Sequence, residues 1–343
     1  MEGSDAARLS PKSVELVDGG DLDLLSLHAD ELVSEGAWEA LDALRQACRS
    51  ASQRGKQLWA VSARIEYRLC LEAPGSWAAL MLETSSGRFV LGPLPEVAAS
   101  THSWEDLAPH LHATPQAAMA AHERALRGED LSEDPVARAL PEVLDLPLYL
   151  LPWEPAYALA EYKTGKVESP PPPMPALVPF RPRPASRPRP GRAPADEVTE
   201  ALEQLALTWA AESNGRVEAA GTAGTALDAV MALGPRPREM TELQPETAIS
   251  AMAWAAGSGG AHGRRRGAAR GRFDAWCVLA ALAGIGDAFA ARSAQVGSAA
   301  ASARWYAWGL GEPASGWSLR LAVEALSGPQ RGQAYALSAE DAF

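Results

Sequence analysis

The sequence predicts an α+β protein with a mainly α-helical N-terminal domain of stacked α-hairpins and a C-terminal α+β domain that ends in a three-stranded antiparallel meander. Apolar residues recur at three- or four-residue spacing in the first part of the chain, which indicates amphipathic helices. Near the end of the chain they alternate with polar residues, which is typical of strands. A segment rich in Pro and Arg separates the two patterns. We therefore expect domains at 1–169 and 196–343, joined by a linker at 170–195.

The N-terminal domain is expected to contain three amphipathic helices stacked as antiparallel neighbours. Their apolar positions recur over residues 25–32, 37–48 and 58–69. Short breaks at Gly36 and Gly55 separate these helices, and glycine favours the turn that follows a helix. Further along the chain, Ser103 and Thr114 are typical N-caps, and Pro115 suits the first turn of a helix.

The segment 170–195 contains five arginines and no acidic residue. It begins with four consecutive prolines and continues with Arg-Pro repeats. Proline removes backbone donors and favours extended polyproline II, so we interpret the segment as a stiff interdomain spacer. The alternative is a ligand for an aromatic-lined groove, or a set of arginines that contact phosphate or a neighbouring acidic domain.

The C-terminal domain is expected to combine helices with strands. Asp196 can cap a first helix that runs to Asn214, because its carboxylate can accept from backbone N–H groups of the first turn. The elements predicted after it are a strand at 216–221, a helix at 225–233, a strand at 240–243 and helices at 245–256 and 271–283. Alternation over 303–308, 317–324 and 333–339 then predicts the meander, with turns that contain Gly or Pro between its strands.

Length and composition exclude several classes of protein. The chain has 343 residues, of which 47% are apolar and 22% charged, enough for one large or two ordinary folded domains. The net charge of −12 argues against general nucleic-acid binding. Three widely separated cysteines argue against a disulfide framework or a thiolate zinc site. No stretch has the length and apolarity of a membrane helix or a leader, so we expect a cytoplasmic protein.

One segment carries unusual chemistry, and we call it the Gly-His-Arg loop (residues 257–272). Five arginines and one histidine fall within residues 262–272. Glycine lets backbone N–H groups approach an anion, a helix start adds positive charge, and arginine matches phosphate or carboxylate. The candidate anion-binding residues are Gly259, Gly260, His262, Arg264, Arg265, Arg266 and Arg270. The loop lacks both GxGxxG and a P-loop ending, and the alternative is a solvated helix start whose arginines pair with carboxylates.

The C-terminal motifs resemble a family of unknown function that we associate with actinobacteria. The resemblance rests on AWAA (253–256) followed by SGGAHGRRRGAARGRF, on the helix with Trp276, and on RWYAWG (304–309), GWSLRLAVE (316–324) and AYALSAED (334–341). It covers roughly the last hundred residues. It implies no activity and no catalytic residue.

Other candidate residues give weaker signals. Four histidines lie close together in the sequence, at His102, His110, His112 and His122, with Asp106 and Glu123 beside them. Imidazole and carboxylate are common zinc or iron ligands, but the repeated spacing of a metal motif is missing, so we predict no metal and no cofactor. Cys277 lies in an apolar helix, where a thiol is normally inert packing.

Eleven tryptophans are many for a chain of this length. Trp305, Trp308 and Trp317 lie near Arg304 and Arg320, so their rings could form a partner interface or stack on bases. The alternative is that they pack in the core. Alternation places Trp305 on the strand face opposite Trp308, so at least one face needs cover from a helix or from a partner.

Two functions are compatible with these observations. The sequence favours a non-enzymatic binding or adaptor protein, whose Gly-His-Arg loop binds a phosphate-containing ligand or an acidic protein partner. The alternative is an enzyme acting on a phosphorylated or nucleotide-like substrate, with His262 as acid/base and the arginines as a phosphate clamp. That enzyme needs a carboxylate partner for His262, and Glu246 and Asp274 are the nearest by sequence.

Overall fold

The computed structural model describes residues 9–85, 90–181, 191–286, 290–311 and 316–342. The chain divides into two compact units, one formed by Met1–Val143 with Ala160–Glu168 and the other by Leu144–Leu159 with Ser169–Phe343. Helices dominate the first unit and accompany a five-stranded sheet in the second, so the predicted α+β class is confirmed. None of the helices in these described ranges combines the length and apolarity needed to cross a bilayer.

The first unit is built from helices and one hairpin. The helices are α1 (Pro11–Gly19), α2 (Leu22–Ser34), α3 (Trp38–Gln53), α4 (Trp59–Glu72), α5 (Gly75–Thr84), α6 (Leu94–Thr101), α7 (Trp104–Leu107), α8 (Pro115–Ala125) and α9 (Pro135–Arg138), with a 3₁₀ turn at Ala108–His110 after α7. The hairpin pairs β1 (Glu161–Lys163) with β2 (Lys166–Glu168). The sequence analysis did not predict this hairpin, because its strands have only three residues each and show no long alternation.

Helix patterning explains the core of the first unit. Leu25, Leu41, Leu44, Ile65 and Leu69 are inaccessible to solvent and lie on α2, α3 and α4, whose apolar spacing predicted these helices. Burial of such side chains contributes about 1.5–3 kcal/mol each. The expected stacked helices therefore form as the apolar periodicity predicts.

Two of the predicted N-caps in this unit are present. The Ser103 hydroxyl accepts from the Asp106 N–H at 3.2 Å, in a capping box at the start of α7. The Thr114 hydroxyl accepts from the Ala117 N–H at 3.2 Å, and Pro115 is the first residue of α8, as expected. Each satisfies a backbone donor that the first helical turn leaves without a partner.

The second unit places helices around one antiparallel sheet. Its helices are α10 (Glu197–Gln204), α11 (Leu207–Glu212), α12 (Ala226–Ala232), α13 (Pro245–Ser258), α14 (Ala268–Ala283) and α15 (Ser293–Ser302), with a 3₁₀ turn at Ala290–Arg292. Its strands are β3 (Arg216–Ala223), β4 (Glu239–Leu243), β5 (Arg304–Gly309), β6 (Gly316–Glu324) and β7 (Gln333–Ala342). Asp196 caps α10 as predicted, but α10 ends at Gln204 and a separate helix, α11, follows.

The sheet has the strand order β3-β7-β6-β5-β4, and every neighbouring pair is antiparallel. β5, β6 and β7 form the predicted three-stranded meander. In its register, Tyr306 opposes Ala322 and Trp317 opposes Asp341. The two strands predicted earlier in the domain, β3 and β4, add to its two edges.

Helices cover both faces of this sheet. Trp308, Ala322 and Ala336 pack with α12 on one face. On the other face, Trp317 stacks on a ring from α13, and the Tyr335 hydroxyl donates to Asp196 at the cap of α10. The alternating strand pattern is therefore buried on both sides.

Parts of the predicted linker lie along the two edges of the sheet. The Phe180 N–H donates to the Arg238 carbonyl at 2.6 Å beside β4. The Ala193 N–H donates to the Gly221 carbonyl at 2.8 Å on β3. Exposed edges invite pairing with other chains, and proline-rich segments along them hinder it. Residues 182–190 lie outside the described residues, and the interdomain spacer stays a prediction.

Residues 144–159 belong to the second unit, although the sequence analysis placed them before the boundary at 169. Contacts with α14 account for the difference: the carboxylate of Glu154 binds the guanidinium of Arg272, and the ring of Trp153 packs on that of Trp276. Long-range pairing of this kind leaves no periodic signal in the sequence.

Candidate functional site

The Gly-His-Arg loop joins α13 to α14 as a closed turn. α13 ends at Ser258, and Gly259 follows it with a left-handed backbone, φ +80°. The N–H groups of Arg266 and Gly267 both donate to the carbonyl of Gly257, at 2.9 and 3.3 Å. These bonds bring the two ends of the loop together and fix where α14 begins.

Close approach of the backbone to itself requires three of the glycines in and beside this turn. A Cβ on Gly259 would lie 2.1 Å from the carbonyl oxygen of Arg264, and one on Gly263 would lie 2.1 Å from that of Gly259. A Cβ on Gly271 would lie 2.1 Å from the carbonyl oxygen of Ala253, where α13 and α14 cross. Any side chain at these positions would overlap with backbone, so their role is structural.

Carboxylates of the protein itself occupy two backbone donors of the loop. The Ala261 N–H donates to Asp341 at 2.5 Å, and the Arg264 N–H donates to Glu212 at 3.3 Å. Asp341 is fully buried and also accepts from the Ser213 hydroxyl at 2.8 Å. Two backbone N–H groups of the loop are therefore occupied by carboxylates of the protein itself, and anion binding by the loop stays a prediction.

Gly260 lies directly over this internal carboxylate. A Cβ there would lie 2.4 Å from Asp341 Oδ2 and 3.1 Å from Trp209 Cδ1. Gly259 and Gly260, which the sequence analysis proposed as anion-binding residues, thus shape the loop. The part of the loop that faces outward consists of side chains, those of the histidine and the arginines.

Three tryptophans lie beneath the loop. Trp209 is inaccessible to solvent and donates through its indole N–H to the Ala255 carbonyl at 3.2 Å. Trp254 and Trp317 stack with ring centroids 5.0 Å apart, and Trp209 meets both of them edge-on. These ring contacts join α11, α13 and β6 beneath the loop.

The other two tryptophans proposed for an interface are buried. Trp305 and Trp308 are 1% and 2% exposed, and their indole N–H groups donate to the carbonyls of Ala300 and Leu321 at 3.1 and 3.2 Å. Neither ring reaches the surface of this unit, because helices cover both faces of the sheet. Of the three proposed interface residues, Trp317 alone is partly exposed.

Two arginines of the loop share one carboxylate. Arg266 Nη1 lies 2.9 Å and Arg270 Nε 3.0 Å from the two oxygens of Asp274. The Asp274 side chain is 6% exposed, whereas those of Arg266 and Arg270 are 25% and 38% exposed. Burial raises the pKa of Asp274, against the opposing charges of Arg270 and Arg266. Two guanidinium groups therefore face outward over a single buried carboxylate.

The other outward side chains of the loop differ in exposure. Arg264 and His262 are exposed and Arg265 is partly buried, lining a cavity with Tyr157 and Trp254. This cavity has a volume of about 10 Å³, the space of roughly one water molecule. This cavity is too small for a metabolite.

His262 makes no hydrogen bond or ion pair with the described part of the chain. Asp274, one of its two expected carboxylate partners, is held by the arginines instead. A catalytic histidine normally needs a group that orients its ring, and this arrangement does not supply one.

The sequence analysis missed the most buried polar cluster of this unit. Arg272 has no solvent exposure, and its Nε and Nη2 donate to Glu154 at 2.7 and 2.6 Å. Its remaining donors bind the carbonyls of Pro147 and Tyr149, both at 2.8 Å. Five N–H groups in a fixed planar fork suit this arrangement well.

Glu154 completes this cluster on the other side. It also accepts from the Trp276 indole at 3.1 Å and the Tyr157 hydroxyl at 2.7 Å. Burial opposes ionisation, but the hydrogen bonds and charge of Arg272 outweigh it, and the pKa of Glu154 lies below its usual value. A signal was present in the sequence: Glu154 is the only charged residue in 146–160. A lone acid in such an apolar run requires a buried cation.

The histidines of the first unit serve local structure. His102 binds the Cys70 carbonyl through Nε2 at 3.1 Å, and burial lowers its pKa. His112 lies on the surface, 3.1 Å from Glu83. Within the described ranges, no three His, Cys, Asp or Glu side chains converge as metal ligands do. Burial raises the pKa of Cys277 to about 11, so its thiol stays protonated at neutral pH.

The fold and the loop together define an α+β protein that carries a cationic loop over a tryptophan base. The chain belongs to a family of unknown function (DUF6183), whose model matches residues 25–342. The match spans elements of both units and so extends well beyond the C-terminal motifs that suggested such a family. No curated protein and no solved structure matches the chain. The actinobacterial association stays a prediction.

Proposed function

We propose that this protein is a cytoplasmic, non-enzymatic binding or adaptor protein, whose Gly-His-Arg loop binds an acidic segment of a protein partner. The observation that carries the proposal is the pair of guanidinium groups, Arg266 and Arg270, that share the buried carboxylate of Asp274. One carboxylate cannot neutralise two cations. A second carboxylate, brought by a partner, would complete the charge balance on the exposed side.

The charges around the loop support an acidic ligand. Two guanidinium groups of the loop, those of Arg266 and Arg270, share the one carboxylate of Asp274 among the described residues. The loop is thus positive on a chain whose net charge is −12. An isolated positive site on an acidic chain confines an acidic ligand to the loop, because the negative charge elsewhere on the chain repels anionic groups from other positions.

Shape favours a partner of macromolecular size. The cavity beside Arg265 holds about 10 Å³, whereas pockets for small ligands typically hold roughly 300–1,000 Å³. The loop is also held rigidly by Asp341 and Trp209, so little ordering cost accompanies binding. Binding is favoured over catalysis because His262 has no orienting carboxylate among the described residues.

Fluorescence anisotropy with a labelled decaglutamate peptide tests the proposal on the full chain. We expect saturable binding that weakens with salt and falls roughly tenfold or more in the double variant Arg266→Gln/Arg270→Gln, which removes two charge-assisted contacts. The matched control is Arg304→Gln/Arg331→Gln, which removes the same charge from exposed positions of the same unit.

Three results would contradict the proposal. One is the absence of saturable binding to the wild-type chain. Another is an equal loss of affinity in both double variants, which would show only a response to net charge. The third is pyrophosphate competing fully at stoichiometric concentration, which would favour a small phosphate ligand instead.

A further inference from the structure

The first unit contains an apolar groove that has no part in the proposed function. It has a volume of about 330 Å³ and lies between α2, α4 and the segment at Val90 and Leu91. Its walls include the side chains of Leu22 and Val61. Leu22 and Leu91 at its rim are 42% and 44% exposed, which is a large exposure for leucine.

Among the described residues, the charged side chains that line this groove are those of Arg64 and Arg68 on α4, and no Asp or Glu of the described ranges contributes to its wall. Arg68 is fully engaged, because it binds Asp30 at 2.5 Å and Glu72 at 2.9 Å. It therefore anchors the wall and has little capacity for a ligand.

Arg64 differs from Arg68 in its unused donors. Its Nη2 binds both oxygens of Asp30, at 3.0 and 2.9 Å. Within the described residues its Nη1 has no acceptor, its Nε is buried, and the side chain as a whole is 37% exposed. Arg64 shares Asp30 with Arg68, whereas Arg68 also binds Glu72, so Arg64 is the guanidinium group with the smaller share of carboxylate. Arg64 can therefore accept a second carboxylate from the groove.

We propose that this groove binds an aliphatic carboxylate. The alkyl chain would lie against Leu22, Val61 and Leu91, and the carboxylate would bind Nη1 of Arg64. The volume is at the lower end of the range for ligand pockets, which suits a medium-length chain. The Tyr67 hydroxyl donates to the Lys163 carbonyl at 2.6 Å, so this residue contributes its ring to the wall rather than a second polar contact.

Isothermal titration calorimetry with decanoate tests the proposal. Decylammonium has the same chain with the opposite charge, and acetate has the carboxylate without the chain. We expect decanoate to bind, acetate to give no heat, and decylammonium to bind roughly tenfold more weakly or not at all. Equal affinity for decanoate and decylammonium would overturn the proposal, because the groove would then be merely apolar.

Two variants separate the charge from the groove. Arg64→Gln removes the guanidinium, and Ala60→Phe fills the groove from its rim while Arg64 stays in place. Each should weaken decanoate binding roughly tenfold or more. The control is Arg138→Gln, which removes an exposed arginine of the same unit that does not line the groove. Far-UV circular dichroism shows that each variant is folded.

Unchanged decanoate affinity in Arg64→Gln and Ala60→Phe would overturn the proposal. It would also fall if wild-type protein gave no heat with decanoate but bound a labelled peptide of alternating Glu and Leu, since the groove would then dock a protein segment. These results do not depend on the Gly-His-Arg loop, which lies in the other unit.

Discussion

Arg270 and Arg272 stand two positions apart at the start of α14, yet they meet opposite environments. Arg272 is fully buried and makes four hydrogen bonds, two to Glu154 and two to backbone carbonyls. Arg270 is 38% exposed and shares one carboxylate, Asp274, with Arg266. Two neighbouring arginines of one helix therefore differ in role. Arg272 forms a buried pair with Glu154, whereas Arg270 belongs to a surface cluster in which Arg266 and Arg270 share the carboxylate of Asp274. An arginine-rich segment cannot be assigned one role as a whole, because the partner of each guanidinium decides its role.

Loss of the buried pair formed by Glu154 and Arg272 should cause the largest decrease in the free energy of unfolding. Glu154→Ala leaves the Arg272 guanidinium buried without a carboxylate, and removing one partner of such a pair costs about 3–5 kcal/mol. Urea unfolding followed by tryptophan fluorescence measures this loss. The control is Glu246→Ala, an exposed carboxylate of the same unit, for which we expect a change within about 0.5 kcal/mol. A loss for Glu154→Ala no larger than that of the control would show that Arg272 finds other acceptors.

Substitution of a glycine in the Gly-His-Arg loop should cause the next largest decrease in the free energy of unfolding. Gly259→Ala places a methyl group 2.1 Å from the Arg264 carbonyl oxygen, whereas the nearest atom to a Cβ on Gly328 is 3.9 Å away. Both glycines have positive φ, so both substitutions incur about 1–2 kcal/mol of backbone strain. Steric overlap with the Arg264 carbonyl oxygen should destabilise Gly259→Ala by about 1–3 kcal/mol more, and Gly328→Ala has no such overlap.

The difference in the free energy of unfolding between these two alanine variants measures the cost of placing a methyl group against the Arg264 carbonyl oxygen. Equal losses for Gly259→Ala and Gly328→Ala would mean that the loop opens at little cost. It would then lack the rigidity on which the proposed binding surface depends.

The two carboxylates should respond to pH in opposite directions. The pKa of Glu154 is below its ordinary 4.5, so its contribution to stability is present above that value and is lost as pH falls through the folded-state pKa. The pKa of Asp274 is above its ordinary 3.8, so its contribution is present below that value and is lost as pH rises through the folded-state pKa.

Conservative variants measure how the contribution of each carboxylate to the free energy of unfolding changes with pH. The stability of wild type minus that of Glu154→Gln should increase with pH across the acidic range, and the same difference for Asp274→Asn should decrease. Chemical unfolding at a series of pH values between about 3 and 7 gives both curves. Parallel curves would show that the environments of the two carboxylates do not differ as their burial and partners indicate.

Periodic features were predictable from the sequence, and pairwise ones were not. The helices of the first unit, the caps at Ser103, Thr114 and Asp196, and the meander follow from local spacing and side-chain chemistry. Local rules suffice for such elements because the interactions that define them lie within a few residues. The placement of 144–159 in the second unit depends on Glu154 meeting a residue more than a hundred positions away.

The same limit applies to the candidate site. Composition singled out the Gly-His-Arg loop, but it could not show that Asp341, eighty residues after Ala261, accepts from the backbone of the loop. It likewise could not show that Trp305 and Trp308 face helices on both sides of the sheet. Burial on two faces depends on tertiary packing, which alternation alone does not specify.

The smallest expected effect is also the most specific to the surface cluster. If Arg266 and Arg270 bind an acidic segment, Asp274 competes with it for the same donors. Asp274→Asn keeps the shape of the side chain and removes the competing charge, so affinity for the labelled decaglutamate peptide should rise about two- to fivefold, the worth of one partly exposed ion pair.

Glu340→Gln is the control for this measurement, because it frees Arg320 from its carboxylate elsewhere on the same unit and changes the net charge equally. Affinity should stay at the wild-type value in that variant. An equal rise in both variants would mean that the peptide responds to net charge. Unchanged or weaker binding in Asp274→Asn would show that the peptide does not use Arg266 and Arg270, and that their shared carboxylate serves only to hold the first turn of α14 in place.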